Sequence, residues 1–176
     1  MKKAVILQGW YQKPTSNWYN WLKEELEKQE YLVFLPDLST MHTDLPDMQL
    51  QLKEIEKLAT LDKDTIVIGH SIGCLLAMRL AEKHKLHNLY LIAGWDFNDL
   101  TEEHRLFWPN AINHSEIIKN TDKIYCITSN NDPYMTPFTV ESMTKRLHGE
   151  FILIKNGGHF NDKFGIKEIP ELLQYI

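Results

Sequence analysis

The sequence predicts an α/β fold, a three-layer α/β/α sandwich in which a parallel sheet lies between two layers of helices. Six short apolar runs recur along the chain, at residues 4–7, 31–35, 65–69, 89–93, 124–128 and 151–154. Runs of this length without polar alternation are typical of strands that are covered on both faces. Because segments with helical periodicity separate the runs, the pattern favours right-handed crossovers and a parallel sheet.

The connecting segments carry their own helix signals. In the first of them, Trp18 and Trp21 lie on one apolar face and are expected in the core. In the fifth, Thr136-Pro137 predicts an N-cap followed by proline at the first helical position, and Gly149 marks the expected end. The predicted helical segments are 18–26, 52–59, 72–83, 136–149 and a last one from 168 to 176.

Composition places the chain among ordinary soluble domains. Its 176 residues suit one domain spanning 1–176, and fractions of 43% hydrophobic and 24% charged residues are typical of a globular protein. The formal net charge of −5 argues against a nucleic-acid partner, which needs a basic surface for the phosphates. The first apolar run is too short for a signal peptide, and no stretch approaches the ~20 apolar residues of a membrane span. We therefore expect a cytoplasmic protein without a membrane partner.

The strongest motif is Gly69-His70-Ser71-Ile72-Gly73, a G-x-S-x-G sequence between the third predicted strand and the helix that follows it. In this context the serine occupies a strained turn that exposes its hydroxyl, and the two glycines let strand and helix pack closely around it. The backbone N–H of Ile72, at the start of the helix, can donate to an oxyanion. The alternative is a glycine-rich turn without chemistry.

A nucleophilic serine needs a base and an orienting acid, and at strand–turn–helix sites of this kind the acid precedes the histidine in the chain. Asp132 follows the fifth predicted strand, and His159 follows the sixth. His159 would take the proton of Ser71, and Asp132 would fix the tautomer of His159. Asp96, which follows the fourth predicted strand, is a rival for the acid, with Asp132 preferred.

Other candidate ligands and nucleophiles have simpler interpretations. Cys74 and Cys126 are expected to be buried, inert thiols. His70 is expected to pack beside the nucleophile turn. No histidine pair has the H-E-x-x-H spacing of zinc proteases, so neither a metal site nor a cofactor is indicated. The remaining histidines are expected to be exposed: His42, His84, His87, His104, His114 and His148.

A second oxyanion donor is expected from the loop after the first strand, where the N–H of Trp10 is the candidate and that of Tyr11 the alternative. Aromatic residues follow several predicted strands and suit the wall of an acyl-binding site, although aromatic residues also fill cores. The long connection between the fourth and fifth strands predicts a small flap within 95–120. The predicted substrate-binding residues are Trp10, Tyr11, Trp95, Trp108, Tyr134 and Phe160.

These motifs together resemble the compact α/β-hydrolases of the YdeN and retinoblastoma-binding-protein-nine type. The resemblance is carried by the G-x-S-x-G motif, by 95–100 leading to Trp108, by 129–134 and by 157–160, and it extends over nearly the whole chain. It implies a six-stranded parallel sheet of order 2-1-3-4-5-6 and a Ser–Asp–His triad that maps onto Ser71, Asp132 and His159. The chain lacks an L-x-C-x-E motif, so a retinoblastoma-type interaction is not expected.

The sequence therefore predicts a cofactor-free serine hydrolase that cleaves a carboxylic ester of a small-molecule acyl substrate through an acyl-enzyme. Thioesters and small amides are further candidate substrates. Two alternatives stay open at this stage: an acyltransferase, in which an alcohol or amine replaces water, and a non-catalytic interaction protein on a hydrolase fold.

Overall fold

A computed structural model describes all 176 residues and contains one six-stranded sheet. All neighbouring strands pair in parallel, in the order β2-β1-β3-β4-β5-β6, which confirms the predicted fold class and strand order. The strands are β1 (Lys3–Leu7), β2 (Leu32–Phe34), β3 (Thr65–His70), β4 (Leu86–Ile92), β5 (Thr121–Ser129) and β6 (Glu150–Ile154).

Helices cover both faces of this sheet. They are α1 (Tyr19–Lys28), α2 (Met48–Leu58), α3 (Gly73–Lys83), α4 (His114–Asn120) and α5 (Pro137–Leu147), with short 3-10 helices at Arg105–Phe107, Asp162–Phe164 and Pro170–Tyr175. The expected last helix from 168 is only the 3-10 helix Pro170–Tyr175. No helix has the length and apolar character needed to cross a membrane.

Strand residues alternate between two cores. Val5 and Leu7 of β1 pack with α2, α3, α4 and α5, whereas Ala4 and Ile6 pack with α1 and the C-terminal segment. Trp18 lies in the second core and is fully buried, while Trp21 packs against its edge. Because both faces are covered, the central parts of the strands are apolar, which explains why they appear in the sequence as runs without alternation.

Both ends of α5 lie within two residues of the predicted positions. The Thr136 hydroxyl accepts a hydrogen bond from the Thr139 N–H at 3.2 Å, as an N-cap does. At the other end, the left-handed residue is His148, with φ 51°, and not Gly149. Gly149 is constrained differently, since a Cβ atom there would lie 2.8 Å from the carbonyl oxygen of Ile124.

The connection in which a flap is predicted is partly regular structure. Its second half forms α4, and Ile117 of this helix is fully buried in the core between its neighbours. Sequence periodicity missed α4 because this helix has only 7 residues. The irregular part of the connection is confined to residues 93–113, which reach the carboxyl edge of the sheet beside the nucleophile turn.

Candidate active site

Ser71 sits in a strained turn between β3 and α3. Its φ is 53°, in the left-handed region that a residue with a side chain rarely adopts. A Cβ atom at position 69 would lie 2.6 Å from the Gly73 carbonyl oxygen, and one at position 73 would lie 2.5 Å from the Leu7 carbonyl oxygen. Only glycine fits either position, so the two motif glycines allow α3 to start against β1 and β3.

The structure brings Ser71, His159 and Asp132 into one hydrogen-bonded chain. The Ser71 Oγ lies 2.9 Å from His159 Nε2, and His159 Nδ1 lies 2.8 Å from Asp132 Oδ2. A carboxylate accepts only, so Nδ1 carries the proton, and in the neutral ring Nε2 is free to accept from the serine hydroxyl. The side chain of Asp132 is fully buried, and its other oxygen accepts from the N–H groups of Tyr134 and Met135 at 2.8 and 3.0 Å.

The loop that carries Asp132 also holds the loop that carries His159. Three side chains at the end of β5 and directly after it accept hydrogen bonds from three successive N–H groups after β6. The pairs are Asn130 Oδ1 with Asn156 N at 2.7 Å, Ser129 Oγ with Gly157 N at 2.8 Å, and Asn131 Oδ1 with Gly158 N at 2.8 Å. We call these three hydrogen bonds the cradle. Sequence reasoning did not predict them, because Ser129-Asn130-Asn131 has the composition of any polar turn.

Asp96, the rival acid, has other partners. Its carboxylate accepts from Arg146 Nε at 2.7 Å and Arg146 Nη2 at 2.6 Å, and His114 Nε2 lies 2.6 Å away. Burial alone would raise the pKa of Asp96, but the hydrogen bonds from Arg146 and His114 outweigh it, so this pKa lies below its ordinary value. Asp96 therefore stays ionised in an ion pair between the β4–β5 connection and α5, and the structure does not bring it to His159.

Two backbone N–H groups beside Ser71 have no acceptor in the protein, those of Trp10 and Ile72. The neighbouring N–H of Tyr11 donates to the Met41 carbonyl at 2.9 Å, which leaves Trp10 as the donor available from the β1 loop. A Cβ atom at Gly9 would lie 3.4 Å from the Ser71 Cβ, so this loop closely approaches the nucleophile. The two free donors suit the oxygen of a tetrahedral intermediate.

A cavity of about 430 Å³ opens beside Ser71 and His159. Three of the predicted substrate-binding residues line it: Trp10, Trp95 and Tyr134. The ring of Tyr134 meets that of His159 edge-on, with 4.9 Å between centroids.

The other three predicted substrate-binding residues do not line this cavity. Tyr11 is half-exposed and its hydroxyl contacts Asp44. Trp108 packs against the core, and Phe160 is buried in the core beneath the sheet. The error has one cause, because an aromatic residue after a strand can turn inward or outward and only its packing partners decide which.

Seven further residues line the cavity that sequence reasoning did not select as site residues: Gly9, Gln12, His70, Asp99, His104, Met135 and Asn161. His104 was expected to be exposed, but its Nδ1 lies 2.7 Å from Asp99 Oδ2 and its ring packs between those of Trp10 and Trp95. His104 Nε2 and Trp95 Nε1 are both buried without a hydrogen-bond partner. His114, also expected to be exposed, is half-buried against Asp96.

The two cysteines are buried, as expected, and carry no disulfide. Cys74 lies directly behind the nucleophile turn, where its Sγ lies 3.2 Å from the Gly69 carbonyl oxygen. Burial raises the pKa of Cys74 well above its ordinary value, so this thiol is not a nucleophile at neutral pH.

The similarities to known proteins extend over nearly the whole chain. A family model described as "Serine hydrolase" matches residues 4–176. The chain is 27% identical to the serine hydrolase RBBP9 of Rattus norvegicus, with 99% of this chain and 93% of that protein covered. The crystal structure of the ydeN gene product from B. subtilis superposes with a TM-score of 0.89 at 20% identity, covering 99% of this chain and 96% of that one. A carboxylesterase structure from the thaumarchaeon Nitrososphaera gargenis gives 0.73 at 13% identity, covering 99% and 88%.

Proposed function

This chain belongs to the serine hydrolase family and is an enzyme, and from that premise we propose that it cleaves carboxylic esters through an acyl-enzyme on Ser71. In this proposal His159 is the general base and Asp132 the residue that orients it. The observation that carries the proposal is the chain of two hydrogen bonds, of 2.9 and 2.8 Å, from the Ser71 hydroxyl through His159 to the buried Asp132.

The reaction proceeds in two halves. The Ser71 Oγ attacks the ester carbonyl while its proton passes to His159 Nε2, and Asp132 stabilises the resulting imidazolium. The N–H groups of Trp10 and Ile72 donate to the oxyanion, each contributing about 10²- to 10³-fold in rate. The C–O bond then breaks, and His159 returns the proton to the leaving alkoxide. Water, deprotonated by His159, releases the acid and restores Ser71.

The cavity sets the proposed substrate class. Its volume of about 430 Å³ suits a small acyl group, and Trp10, Trp95 and Met135 offer apolar walls. Thioesters and small amides are open to the same chemistry.

A fluorophosphonate probe tests the nucleophile directly. The wild type is expected to be labelled on Ser71 and to hydrolyse p-nitrophenyl butyrate, whereas Ser71→Ala loses both properties. Ser115→Ala, at an exposed serine of α4, is the matched control and should behave as the wild type. An unlabelled wild type, or a Ser71→Ala variant that labels equally, would refute the proposal.

A further inference from the structure

A buried hydrogen-bond chain runs behind the nucleophile turn and is not used by the chemistry above. Tyr19 and His70 are 0% and 1% exposed. The Tyr19 hydroxyl lies 2.6 Å from His70 Nδ1, and it accepts from the Gly9 N–H at 3.1 Å and from Asn17 Nδ2 at 3.2 Å. His70 Nε2 lies 2.8 Å from the backbone carbonyl oxygen of His159. The chain therefore joins the β1 loop, the nucleophile turn and the loop after β6.

These contacts allow one arrangement of protons. A carbonyl oxygen only accepts, so His70 Nε2 carries the proton and donates to the His159 carbonyl. Burial and the neighbouring His159 lower the pKa of His70 to about 3, so the ring is neutral and Nδ1 accepts from the Tyr19 hydroxyl. That leaves the two lone pairs of Tyr19 for the N–H groups of Gly9 and Asn17. Every polar atom of the two side chains is then satisfied.

The segment just before α1 holds the His159 loop by further contacts. Asn17 and Asp162 exchange two hydrogen bonds, with the Asn17 N–H donating to Asp162 Oδ2 at 3.2 Å and the Asp162 N–H donating to Asn17 Oδ1 at 2.9 Å. Trp18 Nε1 donates to the Phe160 carbonyl at 2.8 Å. Residues 17 and 18 thus hold the loop just after His159, at Phe160 and Asp162, and Tyr19 extends these contacts to Gly9.

We propose that Tyr19 and His70 are positioning residues that hold the Trp10 N–H and the His159 ring in register around Ser71. The inference rests on the function proposed above, because it assigns roles to Trp10 and His159 in that reaction. Tyr19 acts through Gly9, whose N–H it binds next to Trp10, and His70 acts through the backbone of His159. Tyr19 does not line the substrate cavity. His70 lines it, but both of its ring nitrogens are engaged, by the Tyr19 hydroxyl and the His159 carbonyl.

Loss of this chain should affect the transition state more than substrate binding. The Trp10 N–H and the His159 ring interact with charge that develops during the reaction, whereas the cavity walls made by Trp95 and Met135 are held by other contacts. A change that misplaces transition-state groups lowers kcat with little change in KM. A change that only destabilises the fold lowers the melting temperature and leaves both constants of the folded fraction alone.

The test compares the variant Tyr19→Phe with the control variant Tyr90→Phe. Both tyrosines are buried in the same core, and the Tyr90 hydroxyl is also hydrogen-bonded: it donates to the Tyr175 carbonyl at 2.7 Å and accepts from Asn88 at 3.1 Å. Tyr90, however, lies away from the site. Both variants should lose some thermal stability. Tyr19→Phe should lose about tenfold or more in kcat on p-nitrophenyl butyrate with KM within about twofold, and Tyr90→Phe should keep kcat within about twofold. The proposal is overturned if Tyr19→Phe keeps its kcat or if Tyr90→Phe loses as much.

Two further measurements separate this inference from the proposed function. The ¹⁵N shifts of the His159 ring report its tautomer without turnover, and they should change in Tyr19→Phe and not in Tyr90→Phe. Unchanged shifts in both variants would overturn the inference even in an inactive protein.

If Tyr19→Phe does not fold, the kcat values of His70→Gln and His70→Phe are compared instead. Gln retains a donor for the His159 carbonyl and should retain more kcat than Phe, and equal kcat in the two would count against the proposal. A wild type without esterase activity or probe labelling refutes the proposed function alone.

Discussion

Arg146 donates hydrogen bonds to both carboxylate oxygens of Asp96, from Nε to Oδ2 at 2.7 Å and from Nη2 to Oδ1 at 2.6 Å. This ion pair holds Asp96 away from His159. The pair joins the β4–β5 connection to α5, and His114 of α4 completes it. Two aspartates of similar position in the sequence pattern therefore have different surroundings. Asp132 faces a histidine and two backbone N–H groups, and Asp96 faces a guanidinium.

This difference predicts opposite outcomes for the same substitution. Asp132→Asn should lower kcat by about 10³- to 10⁴-fold, because the amide favours the wrong tautomer of His159. Asp96→Asn should keep kcat within about threefold, but it should cost roughly 1–3 kcal/mol of unfolding free energy, since a buried hydrogen-bonded ion pair is broken. Steady-state kinetics and urea unfolding of both variants check this. Lost turnover in Asp96→Asn with turnover retained in Asp132→Asn would reverse the assignment.

The Asp96 ion pair also predicts a pH dependence of stability. The pKa of this carboxyl is lower in the folded protein than in the unfolded chain, so the pair contributes stability that is present above the unfolded value of about 4 and is lost as pH falls through the folded value. The stability difference between wild type and Asp96→Asn should be full at pH 7 and shrink below about pH 4. Urea unfolding of both proteins at pH 7 and pH 3 measures it. A difference that is equal at both pH values would contradict the assignment.

The cradle after β5 gives a third prediction. Asn131 Oδ1 holds the Gly158 N–H at 2.8 Å, one residue before His159. Asn131→Ala should lower kcat by about tenfold, because the loop that presents His159 loses a hydrogen bond near the reacting atoms. Asn98→Ala, at an exposed turn of the β4–β5 connection, is a control that removes a similar side chain to backbone bond away from His159. Equal kinetics in the two variants would remove Asn131 from the positioning of His159.

Much of this molecule was predictable because its signals are local. All six apolar runs became strands, since the part of a strand that is covered on both faces must be apolar. The G-x-S-x-G motif marks its own turn, because close backbone approach demands glycine at both ends. The helix α4 and the short 3-10 helix at the C-terminus were missed or misjudged, because segments of this length hold too few turns for a periodic signal.

The sequence by itself determined the order of strands and helices, the nucleophile turn and the shortlist of acids and bases, because each depends on residues that are neighbours in the chain. Only the tertiary structure brought Asp132 to His159 and Asp96 to Arg146, and joined Tyr19 to His70. It also buried Phe160 in the core, packed Trp108 against the core and made Trp95 a cavity wall. Those outcomes depend on partners that lie tens of residues away. A carboxylate or an aromatic ring has the same intrinsic chemistry in every case, and its role is set by what packs against it.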